Sequence, residues 1–146
     1  MHHIAIMKKS WGLLPRIFSG QKMVESRWFK NKHTPWDKVR EGDTLWFKNT
    51  GEPVTLKATV TKVLQFADLN EEKKNEVLKK YGQSDLGLSG PIPKEVANYF
   101  ENKKYCLLVF FQDVQAVKPF QINKRGFGAM AAWICVEEID RVKLSK

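Results

Sequence analysis

Between residues 54 and 61 the chain alternates without a break. Val54, Leu56, Ala58 and Val60 are apolar, and Thr55, Lys57, Thr59 and Thr61 are polar. Side chains of an extended strand point to opposite faces in turn, so this period of two predicts a strand with one face on a core. The alternation slips at Lys62-Val63. Such a slip predicts a bulge or bend, the device a small barrel needs in order to close. Tyr105–Phe111 is apolar throughout, the pattern of a central strand covered on both faces.

The other segments fit around these two. Ile4–Met7 reads as a first strand. Ser10 is an N-cap candidate for a short helix carrying Leu13, Leu14, Ile17 and Phe18, and Pro15, tolerated only in a first turn, allows a start later than Ser10. Residues 24–29 read as a strand, and Asn31–Glu41 as a polar, basic connection that ends in a turn at Glu41-Gly42-Asp43. Thr44–Lys48 is a further strand, closed by a turn at Asn49-Thr50-Gly51. Asp68–Tyr81 predicts a charged helix with Leu69, Val77, Leu78 and Tyr81 on its apolar side. Gly82–Pro93, with three glycines and two prolines, predicts a loop that serves as a lid, and Lys94–Glu101 a second helix. Val117–Ile122 and Ala131–Val136 are candidate closing strands around a turn at Lys124–Gly128. The expected architecture is one α+β domain over residues 1–146, a small β-barrel with flanking helices.

Composition limits the function classes. The 146 residues are 42% hydrophobic and 28% charged, with no apolar run long enough to span a bilayer and no signal-peptide pattern at the start. A soluble cytoplasmic protein with no membrane association is the expectation. Cys106 and Cys135 each lie in an apolar segment and read as reduced core residues. Three histidines and two scattered cysteines, without H-x-x-x-H or C-x-x-C, point away from a zinc site, and no metal or cofactor is expected. No G-x-S-x-G or Cys–His arrangement is legible for acyl transfer. The net charge of +9 is uneven: residues 1–66 hold 12 Lys and Arg against 5 Asp and Glu, and residues 67–146 hold 13 against 11. A basic half attracts polyanions, RNA among them, although a basic surface also serves solubility.

That half contains Gly20-Gln21-Lys22-Met23-Val24-Glu25-Ser26-Arg27-Trp28. Glu25 and Arg27 are two apart on a predicted strand and must share a face, while Val24 and Ser26 take the other. Gly20 can end the preceding helix in a left-handed conformation, which leaves Lys22 able to swing to the side of Glu25. Three ionisable groups converging there are either a structural ion-pair cluster or a device for holding a polar, planar ligand.

The spacing G-x-K-x-x-E-x-R resembles the signature of the ASCH family, small domains of the PUA-like superfamily. The likeness continues through Gly42-Asp43-Thr44-Leu45-Trp46-Phe47 and into Val54–Val63. It implies a PUA-like barrel with a cleft beside it, and RNA or a nucleotide-like ligand in that cleft; related EVE and YTH domains hold a modified base there. It also implies enzymatic alternatives. One bacterial branch hydrolyses acetylcytidine with the signature lysine and a threonine three residues later, and metal-dependent ribonuclease activity is attributed to other members. Here the lysine position is Lys22, but the threonine position is Glu25, and a carboxylate cannot stand in for a hydroxyl nucleophile without changing the intermediate. A Lys22–Glu25 pair could still activate a water.

The candidate ligand-binding residues are therefore Lys22, Glu25 and Arg27, joined by Trp28, Lys30, Trp36, Lys9 and Lys124; Lys22 and Glu25 are the catalytic candidates if the chain is an enzyme. Basic and aromatic residues interleaved make a stacking surface for unpaired bases. Trp46 and Trp133 read as core, Trp28 shares a face with Val24, and Trp36, in its polar connection, is the expected exposed platform.

Overall fold

The strands of the computed structural model are β1 (His2–Met7), β2 (Val24–Phe29), β3 (Thr44–Asn49), β4 (Val54–Phe66), β5 (Tyr105–Phe120) and β6 (Trp133–Val136). Among the described residues two α-helices accompany them, α1 (Leu13–Phe18) and α2 (Glu71–Leu86). Residues 1–86, 101–128 and 130–144 are described, the side chains of 83–86 excepted. The strands form one curved sheet, a half-barrel, in the order β2-β5-β4-β3-β1-β6. Only β1 and β3 run parallel; every other neighbouring pair is antiparallel.

The slip at Lys62-Val63 is a bulge, and the register against β5 shifts between Val60 and Lys62. Its effect is a change of face. Before it, Leu56, Ala58 and Val60 point into the concave core; after it Val63 packs there, while Leu64 and Phe66 turn to the opposite layer. β5 is covered on both faces as its apolar run predicts. Leu107, Val109 and Phe111 enter the concave core, and Cys106 and Leu108 lie against the layer under α2.

Helix α1 plugs the concave face with Leu13, Leu14 and Ile17, each such burial contributing about 1.5–3 kcal/mol. Ser10 is not its cap. Residues Lys9–Trp11 form a 3-10 turn, Gly12 at φ 62° occupies the N-cap, and Pro15 then falls in the first turn, where its missing N–H costs nothing. Gly20, at φ 85°, reverses the chain after the helix and sends it toward β2.

Three further expectations are corrected. Helix α2 starts later than Asp68 and continues through Gly82 to Leu86, so the expected loop does not begin at Gly82; its remainder, and the expected helix at 94–100, lie outside the described residues. The strands at 105–111 and 117–122 are one strand, Tyr105–Phe120, because β4 is long enough to pair with its polar half. The last strand starts at Trp133, not Ala131.

Candidate functional site

β2 and β6 are the two edges of the sheet. Across the seam between them runs Arg27. Its Nε and Nη2 bind Glu25 Oε2 at 2.9 and 2.8 Å, Nη1 donates to the carbonyl of Ala132 at 3.1 Å, and Nη2 donates to that of Ile6 at 3.3 Å. The guanidinium also lies over the Trp133 ring, 5.2 Å from its centroid. A planar group with five donors can serve a carboxylate and two carbonyls at once, which an ammonium cannot do in one plane.

Lys22 supplies the second cation. Its main-chain N–H binds the carbonyl of Arg16 at 2.9 Å, at the end of α1, and the turn at Gly20 aims the side chain inward. Nζ lies 3.0 Å from Glu25 Oε1 and donates to the carbonyl of Val24 at 2.6 Å. Lys22 is 1% exposed and Glu25 4%. Each carboxylate oxygen thus faces one cation, inside the fold. The three charges do converge as the strand alternation predicts, but they form the wall behind the seam.

In front of that wall is a cleft of about 760 Å³. Arg27, Lys30 and Lys103 bring positive charge to it, and Phe29, His33, Phe127 and Trp133 bring rings. Burial, with the charge of Lys30 nearby, holds the Lys103 ammonium below the usual lysine range. Phe127 is exposed, and His33 stands edge-on to Phe29 with ring centroids 4.6 Å apart. Neither Lys22 nor Glu25 borders this cleft.

The other candidates divide. Lys30 borders the cleft. Trp28 contributes to its edge by position in β2, but its ring is 3% exposed, packs under α2 and donates to Ser26 Oγ at 3.0 Å, so it offers no stacking face. Trp36 is not the exposed platform expected. It is half-buried against the concave core, edge-on to Tyr105 at 5.5 Å with Lys32 over its ring, and it does not border the cleft. Lys9 forms an exposed pair with Glu52 at 2.6 Å, which raises the lysine above its ordinary value and lowers the carboxyl, and neither Lys9 nor Lys124 borders the cleft.

One cluster escapes a reading of the sequence. Cys106 is buried as expected, whereas Cys135, likewise reduced, packs at the rim of the core, half-buried, and borders the cleft. His3 is its register partner across β1 and β6, with Nδ1 3.2 Å from the sulfur. His3 Nε2 lies 2.8 Å from Asp43 Oδ2, which also accepts the Arg40 main-chain N–H at 2.9 Å. These residues lie up to 132 positions apart, and the one local sign is a histidine inside an apolar strand. Desolvation lowers the His3 pKa against the opposing pull of Asp43, so the ring is neutral near pH 7. Burial alone would raise the Asp43 carboxyl, but the hydrogen bonds from His3 and Arg40 outweigh it and hold it below its usual range. Among the described residues no group of three or more His, Cys, Asp or Glu is arranged to hold a metal ion, and no helix is long and apolar enough to cross a membrane.

A half-barrel of this strand order with two helices is the ASCH/PUA-like fold. The chain is similar in structure to the ASCH protein of Zymomonas mobilis, with a TM-score of 0.67 at 16% identity over 96% of this chain and 90% of that one. Two single-substitution variants of the same bacterial protein give TM-scores of 0.66 at 17% identity over 94% of this chain, covering 91% and 89% of theirs. No family model matches the sequence, and no curated protein matches it significantly.

Proposed function

We propose that the chain is a nucleic-acid-binding module that holds an unpaired base or nucleotide of single-stranded RNA in the seam cleft. The observation that carries this reading is the lining: three cations and two exposed rings, His33 and Phe127, around a space of about 760 Å³, within the range of small-ligand sites. Rings accept the face of any base, and the cations track the phosphates. The Lys22–Glu25–Arg27 cluster supports the ligand indirectly, by fixing the Arg27 guanidinium and with it the seam. Hydrolysis of a modified nucleoside through Lys22 and Glu25 is less well supported, because neither side chain borders the cleft.

Fluorescence anisotropy with a short labelled single-stranded RNA tests the proposal. Lys30→Gln should weaken binding severalfold with the fold intact, whereas Lys9→Gln, outside the cleft, should change it little. Equal effects from both, or duplex bound in preference to single strand, would remove the cleft from the argument.

A further inference from the structure

We infer that Lys48 and Lys124 form a phosphate-binding site on the outer face of the sheet, one turn away from the seam cleft. Lys48 carries the argument. Leu45 and Phe47 of β3 enter the concave core, so the alternation turns Trp46 and Lys48 to the other face. There the register partners of Lys48, Ile6 of β1 and Val54 of β4, belong to an apolar cluster with Trp46 and Ile122. The lysine is 6% exposed, yet among the described residues its ammonium has neither a carboxylate nor a hydrogen-bond acceptor. It is not sealed in, because the one buried side-chain nitrogen or oxygen left without a partner among those residues is Asn49 Oδ1. The tip of Lys48 therefore opens to solvent while its stem lies in apolar packing.

The charge beside it is a second cation. Lys124 stands two residues beyond Ile122, at the start of the turn that follows, and its charge adds to burial in holding the Lys48 ammonium below the usual lysine range. Buried charges are ordinarily paired, and a lysine whose charged neighbour is positive costs stability until an anion joins it. Two ammonium groups are point charges with rotatable donors, suited to a tetrahedral oxyanion; a planar carboxylate is better met by the fork of an arginine. The position favours phosphate as well. The Phe127 N–H donates to the Lys124 carbonyl at 2.9 Å, closing a turn whose ends lie within about 7 Å, and Phe127 borders the cleft. A strand with one base in the cleft would pass its next phosphate along this turn, and on that point the inference rests on the nucleic-acid reading. A free phosphate or a mononucleotide offers the same chemistry.

Thermal melts with inorganic phosphate, matched in ionic strength by chloride, test the site without RNA. Phosphate should raise the melting temperature of the wild type above its chloride control. The excess should vanish in Lys48→Met and shrink in Lys124→Gln, but persist in Lys9→Gln, which removes an exposed charge already paired with Glu52. In chloride alone Lys48→Met should melt no lower than the wild type, because methionine keeps the stem and discards an uncompensated charge. No excess with phosphate, an excess that survives Lys48→Met, or a lower melting temperature of Lys48→Met in chloride would each overturn the inference. Anisotropy with the single-stranded RNA then identifies the source. If the strand supplies the phosphate, Lys48→Met weakens binding severalfold and makes the log–log salt slope shallower by ~0.7, the share of one phosphate. Unchanged RNA affinity beside a lost phosphate effect assigns the site to free phosphate or a mononucleotide. Because the melts contain no RNA, their outcome stands whether or not the cleft takes a base.

Discussion

Glu25 divides its two oxygens between two cations, and that division predicts unequal effects of losing either one. Arg27→Ala removes the partner of one oxygen and also releases the carbonyls of Ile6 and Ala132, so it should cost on the order of 3–5 kcal/mol, the usual penalty for breaking a buried ion pair. Lys22→Met keeps the apolar stem and leaves Glu25 its guanidinium, so it should cost about 1–3 kcal/mol. Denaturant melts of the two variants rank them; a larger loss for Lys22→Met would mean that the seam is not what Arg27 holds. His3 makes a second prediction. Its folded pKa lies below the ordinary 6.5, so the unfolded chain binds the proton first, and stability present above pH 6.5 is lost as pH falls toward the folded value. His3→Gln should flatten the fall of melting temperature just below pH 6.5, at the expense of lower stability at neutral pH.

The two faces of β2 do different work, and substitutions on each should separate stability from binding. Trp28→Ala empties a site under α2 and should cost about 3–5 kcal/mol while the protein that stays folded binds RNA as before. Phe127→Ala, in the turn across the cleft, should do the reverse, lowering affinity with little change in melting temperature. Thermal melts paired with anisotropy on the same samples decide between them. Strands were the legible elements of this chain, since Val54–Thr61 and Tyr105–Phe111 declare their facing by pattern alone. The polar half of β5 did not declare itself: Gln112 to Gln115 is held by ladder hydrogen bonds to β4, and residues paired that way need no apolar signature. Gly82 was misleading because a glycine ends helices as a rule, yet α2 runs through it. At the site, the shared face of Glu25 and Arg27 could be read from the period of two. The near-complete burial of Lys22 could not, because lysines are exposed by default, and the Glu25 carboxylate and the Val24 carbonyl that draw this one in meet it only in the folded turn. His3, Asp43 and Cys135 meet through strand order, which no local pattern encodes.

For the whole molecule, the charge of +9 makes a prediction independent of any one side chain. RNA affinity should fall linearly on a log–log plot against salt, because each neutralised phosphate releases condensed counterions. Isothermal titrations across a salt series give the slope, and a flat line would place the basic half outside the interface. The strand order has a consequence of its own. β1, made before the other strands of this sheet, lies between β3 and β6, so one of its edges stays unpaired until β6 arrives. Such distant pairings must close long loops before any contact rewards them, which sets folding in the slower range, milliseconds to seconds, of sheet-rich domains. On the ribosome the sheet cannot be completed until Trp133–Val136 has left the exit tunnel. Until then the nascent chain exposes a hydrophobic strand edge, Ile4–Met7, that a chaperone could cover or a neighbouring chain could capture.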